Sequence, residues 1–298
     1  MSDAFNDTLM LVDGHSLAFR AYFALPNSLR APDGEPIQAV YGFMGTLFRL
    51  LQEHRPRWLA VAFDEGRPFR HDLYDAYKAG REDIPDDISA QVTRLRRLLG
   101  ALGVHQVAGA PFEADDYIAT LARHARSDRP GADVLVVTGD RDLFQLIDER
   151  VHVLYPHKGI REGVRYDAAA VVERFGVTPA QLTDFKALVG DPSDNIPGVR
   201  GIGAKTAAKL IAAHGDLAGI YAALPTLAGS LRDKLAAGRA SADLSHALAA
   251  LRFDAPVELD WPALGWRYDA AASSSAMSQL GFNTTAGRLP TAYERAGV

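Results

Sequence analysis

The sequence predicts an α/β protein with a central, mostly parallel sheet that is flanked by helices. Short apolar runs alternate with amphipathic helical segments up to about residue 176. Strands that are separated by helices favour a parallel sheet covered on both faces. After residue 176 the strand signal fades, and alanine-rich helical segments joined by glycine turns follow. We therefore predict an α/β core over 1–176, a helical module over 177–255, and a tail over 256–298 that packs back on the core.

Four apolar runs are predicted to form the strands of the sheet. Residues 8–13 end in Asp-Gly, which suits a buried strand with a sharp exit. The later runs have the same short, buried character and lie at 58–64, 133–138 and 150–155.

The segments between these strands carry apolar residues at helical spacing. Residues 38–54 stop before Pro56, which ends a helix. Residues 86–102 begin with two aspartates, and negative charge suits the first turn of a helix. A third helix is predicted at 114–126. The helices predicted after the core are 179–189, 204–214, 216–223, 227–237 and 241–251, and the tail has one organised segment at 275–289.

Composition limits the chemistry that is available to the chain. The 298 residues are 48% hydrophobic, enough for one large or two modest domains. The absence of cysteine excludes disulfides and thiolate metal sites, so any metal must be held by oxygen or histidine. The N-terminus lacks a basic region before a short apolar run, and no apolar run matches a bilayer. We expect a cytoplasmic protein with no membrane segment.

The distribution of charge matters more than its sum. A net charge of −5 is unusual for a nucleic-acid-binding protein, but bound metal would neutralise several of the acidic residues. Basic residues cluster at 67–81, 94–99 and 199–209. A single cluster is also typical of a solvated helix face. Three clusters beside acidic strand ends indicate an anionic partner.

Acidic residues stand directly after three of the predicted strands, at Asp13, Asp64 and Asp140. The carboxyl ends of parallel strands share one edge of a sheet, where ligands bind. Carboxylates gathered there repel one another unless they share a cation. Each of them alone is equally an ordinary turn residue or helix N-cap. Together they predict bound magnesium, and phosphodiester hydrolysis is the simplest chemistry that uses it.

A further acidic group, Glu113, Asp115 and Asp116, begins the predicted helix at 114–126. Residues i and i+2 lie about 200° apart around a regular helix, so Glu113 and Asp115 would diverge. They share a site only if Glu113 lies in the turn before the helix, as Pro111 allows. The alternative is a negatively charged first turn that binds no metal, and the sequence leaves both open.

Asp140 and Asp142 flank one residue, so in an extended segment both face the same side. The same D-x-D spacing occurs in phosphatases that form an aspartyl phosphate. Such enzymes carry a small β-branched residue where this chain has Phe144. This interpretation also leaves Glu113 and the glycine-rich segment without a role. A D-x-D phosphatase is therefore the minor alternative.

A glycine-rich segment at 198–206, the hairpin, opens the predicted helix at 204–214. Glycines let the backbone approach a phosphate closely, and helix N-terminal amides bind anions. Alone, the motif is equally typical of a tight turn between helices. Asp191 and Asp194 immediately precede it, which connects it to the acidic residues. It therefore predicts binding of the DNA backbone by shape. The expected contacts are Gly201, Gly203, Lys205 and Thr206.

Six ordered motifs resemble the 5′-nuclease family, which includes the 5′→3′ exonuclease domain of bacterial DNA polymerase I, phage 5′-exonucleases and flap endonucleases. The motifs are LMLVDGHSLAFRAYFAL, AVYGF, AFDEGRPFRHDLYDAYKAGR, FEADDYIATLA, VVTGDRDLFQLI and LVGDPSDNIPGVRGIGAKTAAKLI. The resemblance runs from about residue 8 to 255, with a weaker echo at 277–289. It implies a PIN-like core with a helical arch at about 66–105 and a helix-hairpin-helix (helix-three-turn-helix) module.

The resemblance also implies a metal centre and its chemistry. The expected activity is structure-specific 5′→3′ exonuclease and flap endonuclease cleavage in DNA replication and repair. Two divalent cations, magnesium or manganese, would be held by carboxylates, and a potassium ion would sit on backbone carbonyls of the hairpin. How the ligands divide between the two cations stays open. The matching metal ligands are Asp13, Asp64, Glu113, Asp115, Asp140, Asp142 and Asp194, with Asp116 and Asp191 in the same group.

The same family pattern assigns the residues that contact DNA. Lys78, Arg81 and Arg20 match residues that act on phosphates, with Lys78 and Arg81 at the scissile one. Arg70 matches a further phosphate contact, and Tyr77 a stacking position for an unpaired base. Phe112 stands where many members carry tyrosine.

The expected partner is DNA with 5′ flaps, nicks or free 5′ ends. We expect a monomer with no membrane partner that works beside a DNA polymerase in trans, or in cis if the chain is a fragment. The other alternative is a non-catalytic DNA-binding paralogue. It would be expected to have lost ligands, and none of the matched carboxylates is missing.

Overall fold

Six strands form one sheet. The structure, a computed structural model, describes residues 5–80, 85–157, 162–282 and 293–294. The strands are β1 (Asn6–Asp13), β2 (Pro56–Ala62), β3 (His105–Val107), β4 (Asp133–Val137), β5 (Val151–His157) and β6 (Glu162–Tyr166).

The strand order is β3-β2-β1-β4-β5-β6. The first five strands are parallel, and β6 pairs antiparallel with β5 at one edge. This confirms the predicted fold class. The winding direction reverses between β1 and β4, and open parallel sheets bind ligands beyond the carboxyl ends of the strands at such a point.

Helices cover the sheet and then continue without strands. Among the described residues, no helix has both the length and the apolar character that a bilayer span requires. In the first part the helices are α1 (Gly14–Ala24), α2 (Gln38–His54), α3 (Arg70–Leu73), α4 (Asp86–Ala101), α5 (Ala114–Asp128) and α6 (Ala168–Phe175). They are followed by α7 (Leu182–Val189), α8 (Ala204–His214), α9 (Leu217–Ala222), α10 (Gly229–Ala237), α11 (Arg239–Ala249), α12 (Trp261–Leu264) and α13 (Ala270–Gln279).

Alternation along the central strand divides the core into two layers. Leu9 and Leu11 of β1 pack with α5 and with apolar residues of α7 and α8. Met10 and Val12 point to the other face, where α1, α2 and α4 cover them. Both faces of the strand are therefore buried, as expected for a parallel sheet.

The tail lies against the second layer. The buried Trp266 indole N–H donates to the carbonyl of Leu102, at 2.8 Å. The Tyr293 hydroxyl donates to the carbonyl of Pro56, at 2.7 Å. The helix found there is α13, which begins five residues before the predicted segment 275–289 and overlaps it only at 275–279, and 283–289 lie outside the described residues.

The second half of the predicted arch at 66–105 packs against the core. Leu95 and Leu99 of α4 are fully buried in the second layer. The segment before α4 contains α3 and a series of turns, and 81–84 lie outside the described residues.

Candidate active site

Five of the predicted metal ligands line one cavity of about 910 Å³. Asp13, Asp64 and Asp140 enter it from the ends of β1, β2 and β4. Glu113 and Asp115 enter it from the start of α5. The convergence that topology predicts at this edge of the sheet is thus present.

Asp13 is fixed by hydrogen bonds on both carboxylate oxygens. It is the last residue of β1 and the N-cap of α1, so Oδ1 accepts the Ser16 N–H, at 2.9 Å. Its Oδ2 accepts the Thr138 hydroxyl, at 2.8 Å. Thr138 directly follows β4, so this carboxylate bridges the two central strands.

The other strand-end aspartates are tied to their neighbours in the same way. Asp64 Oδ1 accepts the Ala114 N–H at the first turn of α5, at 2.7 Å. The Asp64 N–H donates to His15 Nδ1, at 3.0 Å. The Asp140 N–H donates to Thr138 Oγ1, at 2.9 Å. These bonds link the ends of three strands to the starts of two helices.

Glu113 lies in extended backbone just before α5, with φ −92° and ψ 166°. The Asp116 side chain accepts the Glu113 N–H, at 3.1 Å, as in a capping box. The two readings left open by the sequence are therefore compatible. The turn geometry lets Glu113 and Asp115 reach one cavity, while Asp116 serves the helix start.

The cavity is electrostatically crowded. Burial, followed by repulsion from Asp64, raises the pKa of Asp13 to about 7. Burial also raises the pKa of Asp115 well above its ordinary value, with Asp140, Asp13 and Asp64 adding repulsion. Divalent cations that prefer oxygen ligands, such as magnesium or manganese, fit a group of this kind. Within the described ranges, no three acidic or histidine side chains already form a metal-ligand cluster, so the fit rests on this crowding.

Lys78 places a cation on the wall of the same cavity. Its ammonium pairs with Glu113. Its backbone is left-handed, with φ 58°, a conformation that costs a non-glycine residue roughly 1 kcal/mol or more. The Lys78 N–H donates to the Asp194 carbonyl, at 2.9 Å, and helps to hold this turn.

Arg70 is buried inside the protein. It is 3% exposed, and its guanidinium lies 2.7 Å from Glu113 and 2.8 Å from Asp116. It also donates to the carbonyls of Leu248 and Ala250, each at 2.9 Å. In this arrangement the guanidinium is fully engaged inside the protein and away from open surface, and the DNA contact of Arg70 stays a prediction.

Asp116 lies behind the cavity and is fully buried. Its Oδ1 accepts from Arg70 and from the Arg252 N–H, at 2.9 Å each. Its Oδ2 accepts from Arg70 and from the Glu113 N–H. Both oxygens are thus engaged inside the protein, where they support the start of α5, and the metal-ligand role of Asp116 stays a prediction.

Tyr77 is also buried, with 4% of its surface exposed. Its hydroxyl lies 3.2 Å from Glu113 and 3.1 Å from Asp194, and burial raises its pKa. In this arrangement the ring is enclosed by protein and no open surface is left for a base, and the stacking role of Tyr77 stays a prediction. The residue connects Glu113 to Asp194, which is itself 6% exposed.

A second acidic group, Asp142 and Asp191, lies next to the cavity. The sequence predicted these carboxylates but not the lysine that pairs with them. Lys186 of α7 pairs with Asp142 and, at 2.7 Å, with Asp191. Burial would raise the pKa of Asp191, but Lys186 and hydrogen bonds from Ser193 together hold the pKa below its ordinary value. The Asp142 N–H donates to Asp140 Oδ1, at 2.9 Å, which joins this group to the cavity.

Two other cations were predicted to act on phosphate. Arg20 lies over the Tyr155 ring, 5.6 Å from its centroid, and close to Gly139, which lines the cavity. It therefore sits beside Asp140, at the rim of the site. Arg81 falls outside the described residues.

The hairpin is anchored to the helices around it. The Gly198 N–H donates to the Ser245 hydroxyl of α11, at 2.9 Å. Gly201 has φ 83°, and Gly203 is the N-cap of α8. At the start of α8, Lys205 is exposed and Thr206 is partly exposed.

Sequence reasoning missed two aromatic residues of the cavity. Phe19 and Phe23 both line it, and Phe23 is 73% exposed. A signal was present, because the two residues are four positions apart on the helix that Asp13 begins. Phe19 is half-buried, so Phe23 is the exposed ring of the pair, and an exposed aromatic side chain at the mouth of a cavity is a candidate ligand contact.

Two family models match adjoining stretches of the sequence. The 5′-3′ exonuclease N-terminal resolvase-like domain matches residues 8–176. The 5′-3′ exonuclease C-terminal SAM fold matches residues 177–271.

Similar proteins were found among both curated sequences and solved structures. DNA polymerase I of Mycobacterium bovis is 46% identical over 257 residues, which cover 86% of this chain and 28% of that protein. The chain thus spans about a quarter to a third of the length of the curated relatives it matches. The T5 D15 protein co-crystallised with metal ions has a TM-score of 0.67 at 21% identity, over 93% of this chain and 94% of that one. The catalytic core of Rad2 in complex with DNA substrate has a TM-score of 0.60 at 20% identity, over 94% and 89%.

Replacing the buried guanidinium should destabilise the protein strongly. Arg70→Met leaves Asp116 and Glu113 without their partner in a buried site, and we expect a loss of about 3–5 kcal/mol in the free energy of unfolding. Urea denaturation followed by circular dichroism measures it. The control is Arg67→Met, which breaks an exposed pair with Asp72 and should cost less than about 1 kcal/mol. Equal losses would contradict the structural role of Arg70.

The raised pKa of Asp13 predicts a pH-dependent effect on stability. A carboxyl whose folded pKa is about 7, above its ordinary 3.8, favours the folded state less and less as the pH rises through this window. Asp13→Asn removes that cost, so in EDTA its advantage over the parent should grow between pH 5 and pH 8, to on the order of 1–3 kcal/mol. Thermal unfolding at both pH values measures it. Asp75→Asn, at a fully exposed position, should show no such trend; an Asp13→Asn effect that is independent of pH would contradict the assignment.

Proposed function

The chain belongs to the 5′-3′ exonuclease family, and from that premise we propose that it is a structure-specific 5′ nuclease that hydrolyses phosphodiesters in branched or 5′-ended DNA. The observation that carries the proposal is the convergence of five carboxylates and Lys78 on one cavity. Family membership removes the D-x-D phosphatase from consideration. Replication and repair are the processes in which such cleavage is needed.

The proposal includes two divalent cations, magnesium by preference because every candidate ligand is an oxygen. Bound in such a pair, divalent cations activate water and neutralise charge on the leaving oxygen of a phosphodiester. The residues divide naturally by their contacts. The group at the strand ends, Asp13, Asp64, Asp115 and Asp140, would hold one ion with Glu113 beside it. Asp142 and Asp191, which share Lys186, would hold the other ion together with Asp194.

The cationic residues of the chain would bind and orient the scissile phosphate. Lys78 faces the cavity from a rigid turn, so its ammonium can donate to a phosphate oxygen without reorganising the backbone. Donors that are fixed in this way stabilise the negative charge that develops on the phosphate by about 3 kcal/mol. Arg20 would extend the positive wall beside Asp140, and Arg81 keeps the role that the family resemblance implies.

Phe23 of α1 is a further candidate for stacking on an unpaired base, beside the role that the family resemblance gives to Tyr77. Phe23 presents a broad apolar surface at the mouth of the cavity, and Phe19 lies one helical turn before it. Stacking on such a ring tolerates every base, which suits an enzyme that selects ends rather than sequences.

The remaining parts of the proposal concern the duplex and the partners. The hairpin would hold the duplex backbone through Gly201, Gly203, Lys205 and Thr206, with a potassium ion on its carbonyls as the resemblance implies. The division into core, helical module and tail is part of the same proposal. So are a monomeric state, a cytoplasmic location and a DNA polymerase as partner in cis or in trans, the last supported by the relatives.

Cleavage of a 5′-labelled flap in magnesium tests the proposal. We expect the parent to cut the flap, and Asp140→Asn to lose activity by about a hundredfold or more, because a ligand at the centre of the cavity is lost. Asp75→Asn is the surface control. Equal product from parent and Asp140→Asn would refute the site. Tight binding without cleavage of flap, nicked, single-stranded and RNA-tailed duplexes would instead indicate the non-catalytic paralogue.

The aromatic assignment predicts a defect that depends on the substrate. Phe23→Ala should weaken binding of DNA with an unpaired 5′ end by about five- to a hundredfold, since base–aromatic stacking contributes about 1–3 kcal/mol. Binding of blunt duplex should be unchanged. Fluorescence anisotropy in calcium measures both. Val172→Ala removes an exposed apolar residue of α6 and serves as control. Equal weakening on blunt and flapped DNA would exclude stacking by Phe23.

A further inference from the structure

A second cavity, of about 600 Å³, lies between the hairpin and α10. Its polar lining consists of Arg200, Ser230, Asp233 and Lys234. Arg200 belongs to the hairpin, while the other three come from a helix that the sequence gives no reason to connect with DNA. The cavity is separate from the carboxylate site, with which it shares no lining residue.

Lys234 lies directly across the turn of the hairpin. A Cβ atom added to Gly201 would lie 3.3 Å from Lys234 Cε, 3.4 Å from its Cδ and 3.5 Å from its Nζ. The missing side chain of Gly201 therefore makes room for the lysine stem and brings its ammonium to the turn. Gly201 was predicted to let a phosphate approach the backbone, and in the structure it also admits a cation.

The charge of the cavity favours an anion. Within the described part of the chain, neither Arg200 nor Lys234 has a carboxylate within ion-pair distance. The one acidic residue of the lining, Asp233, is paired with Arg232 at 3.3 Å. Two cations and the Ser230 hydroxyl are thus available to a ligand, a donor set that suits the oxygens of a phosphate.

The two walls of the cavity are held together by packing. Gly238, just after α10, lies so close to Val199 that an added Cβ would be 2.6 Å from its Cγ1. Leu235 of α10 is fully buried, and the Ser241 hydroxyl donates to the Gly198 carbonyl, at 2.6 Å. Because hairpin and helix form one packed unit, Arg200 and Lys234 are positioned before any ligand binds.

We propose that this cavity binds a backbone phosphate of duplex DNA and so extends the hairpin contact onto α10. The inference rests on the proposed function, because it assumes that DNA is the substrate. It adds Lys234, Arg200 and Ser230 to the DNA-binding surface. A free phosphate ion shares the same chemistry, and the test separates the two sources.

The test uses the salt dependence of duplex binding. Lys234→Gln should weaken binding of a nicked duplex on the order of three- to tenfold at 0.1 M salt and reduce the slope of log K against log salt by about 0.9. Anisotropy titrations in calcium between 0.05 and 0.2 M salt measure both. Arg232→Gln, on the same helix and paired with Asp233, is the control and should change neither quantity beyond error.

A double variant decides whether the two cations share one phosphate. If they do, Arg200→Gln should weaken binding less in the Lys234→Gln background than in the parent. A parent that cleaves flaps, together with an unchanged salt slope in Lys234→Gln, would overturn this inference and leave the proposed function standing. A parent that neither binds nor cuts DNA would overturn both. Thermal stabilisation by inorganic phosphate at constant ionic strength, in the parent but not in Lys234→Gln, would identify a small-anion site and overturn the backbone assignment.

Discussion

Repulsion among the carboxylates at the ends of β1, β2 and β4 is the constraint on which the rest of the structure depends. Parallel strands bring Asp13, Asp64 and Asp140 to one edge, and α5 adds Glu113 and Asp115. Such crowding is unfavourable in a buried site unless cations and hydrogen bonds offset it. Much of the local architecture consists of those offsets.

Three cations from different parts of the chain supply the compensation. Arg70 pairs with Asp116 and Glu113 from behind the cavity, Lys78 pairs with Glu113 on its wall, and Lys186 pairs with Asp142 and Asp191 beside it. Arg70 also donates to carbonyls at the end of α11, so its guanidinium is one of the links between the acidic core and the helical module.

The sheet, most helices and the position of the acidic edge could be predicted from the sequence, because they follow from periodicity and from the rule that parallel strands share their carboxyl ends. The three residues of β3 and the exposed β6 carry too little periodic signal to be found in this way. Roles that depend on whether a side chain is buried were harder to predict from the sequence. Arg70, Tyr77 and Asp116 match motif positions, but only tertiary packing shows that their side chains face inward. Lys186 and Lys234 lie in predicted helices at positions whose partners are set by the packing of other helices.

The double hydrogen bonding of Asp13 has a consequence for affinity. A side chain whose two oxygens are already held by Ser16 and Thr138 has few rotamers left to lose. Ordering a flexible side chain on binding costs about 0.5–1.5 kcal/mol, and here that entropy is given up when the protein folds. The central carboxylate of the cavity is therefore positioned during folding, and the free energy of a binding event can go into contacts instead of conformational order.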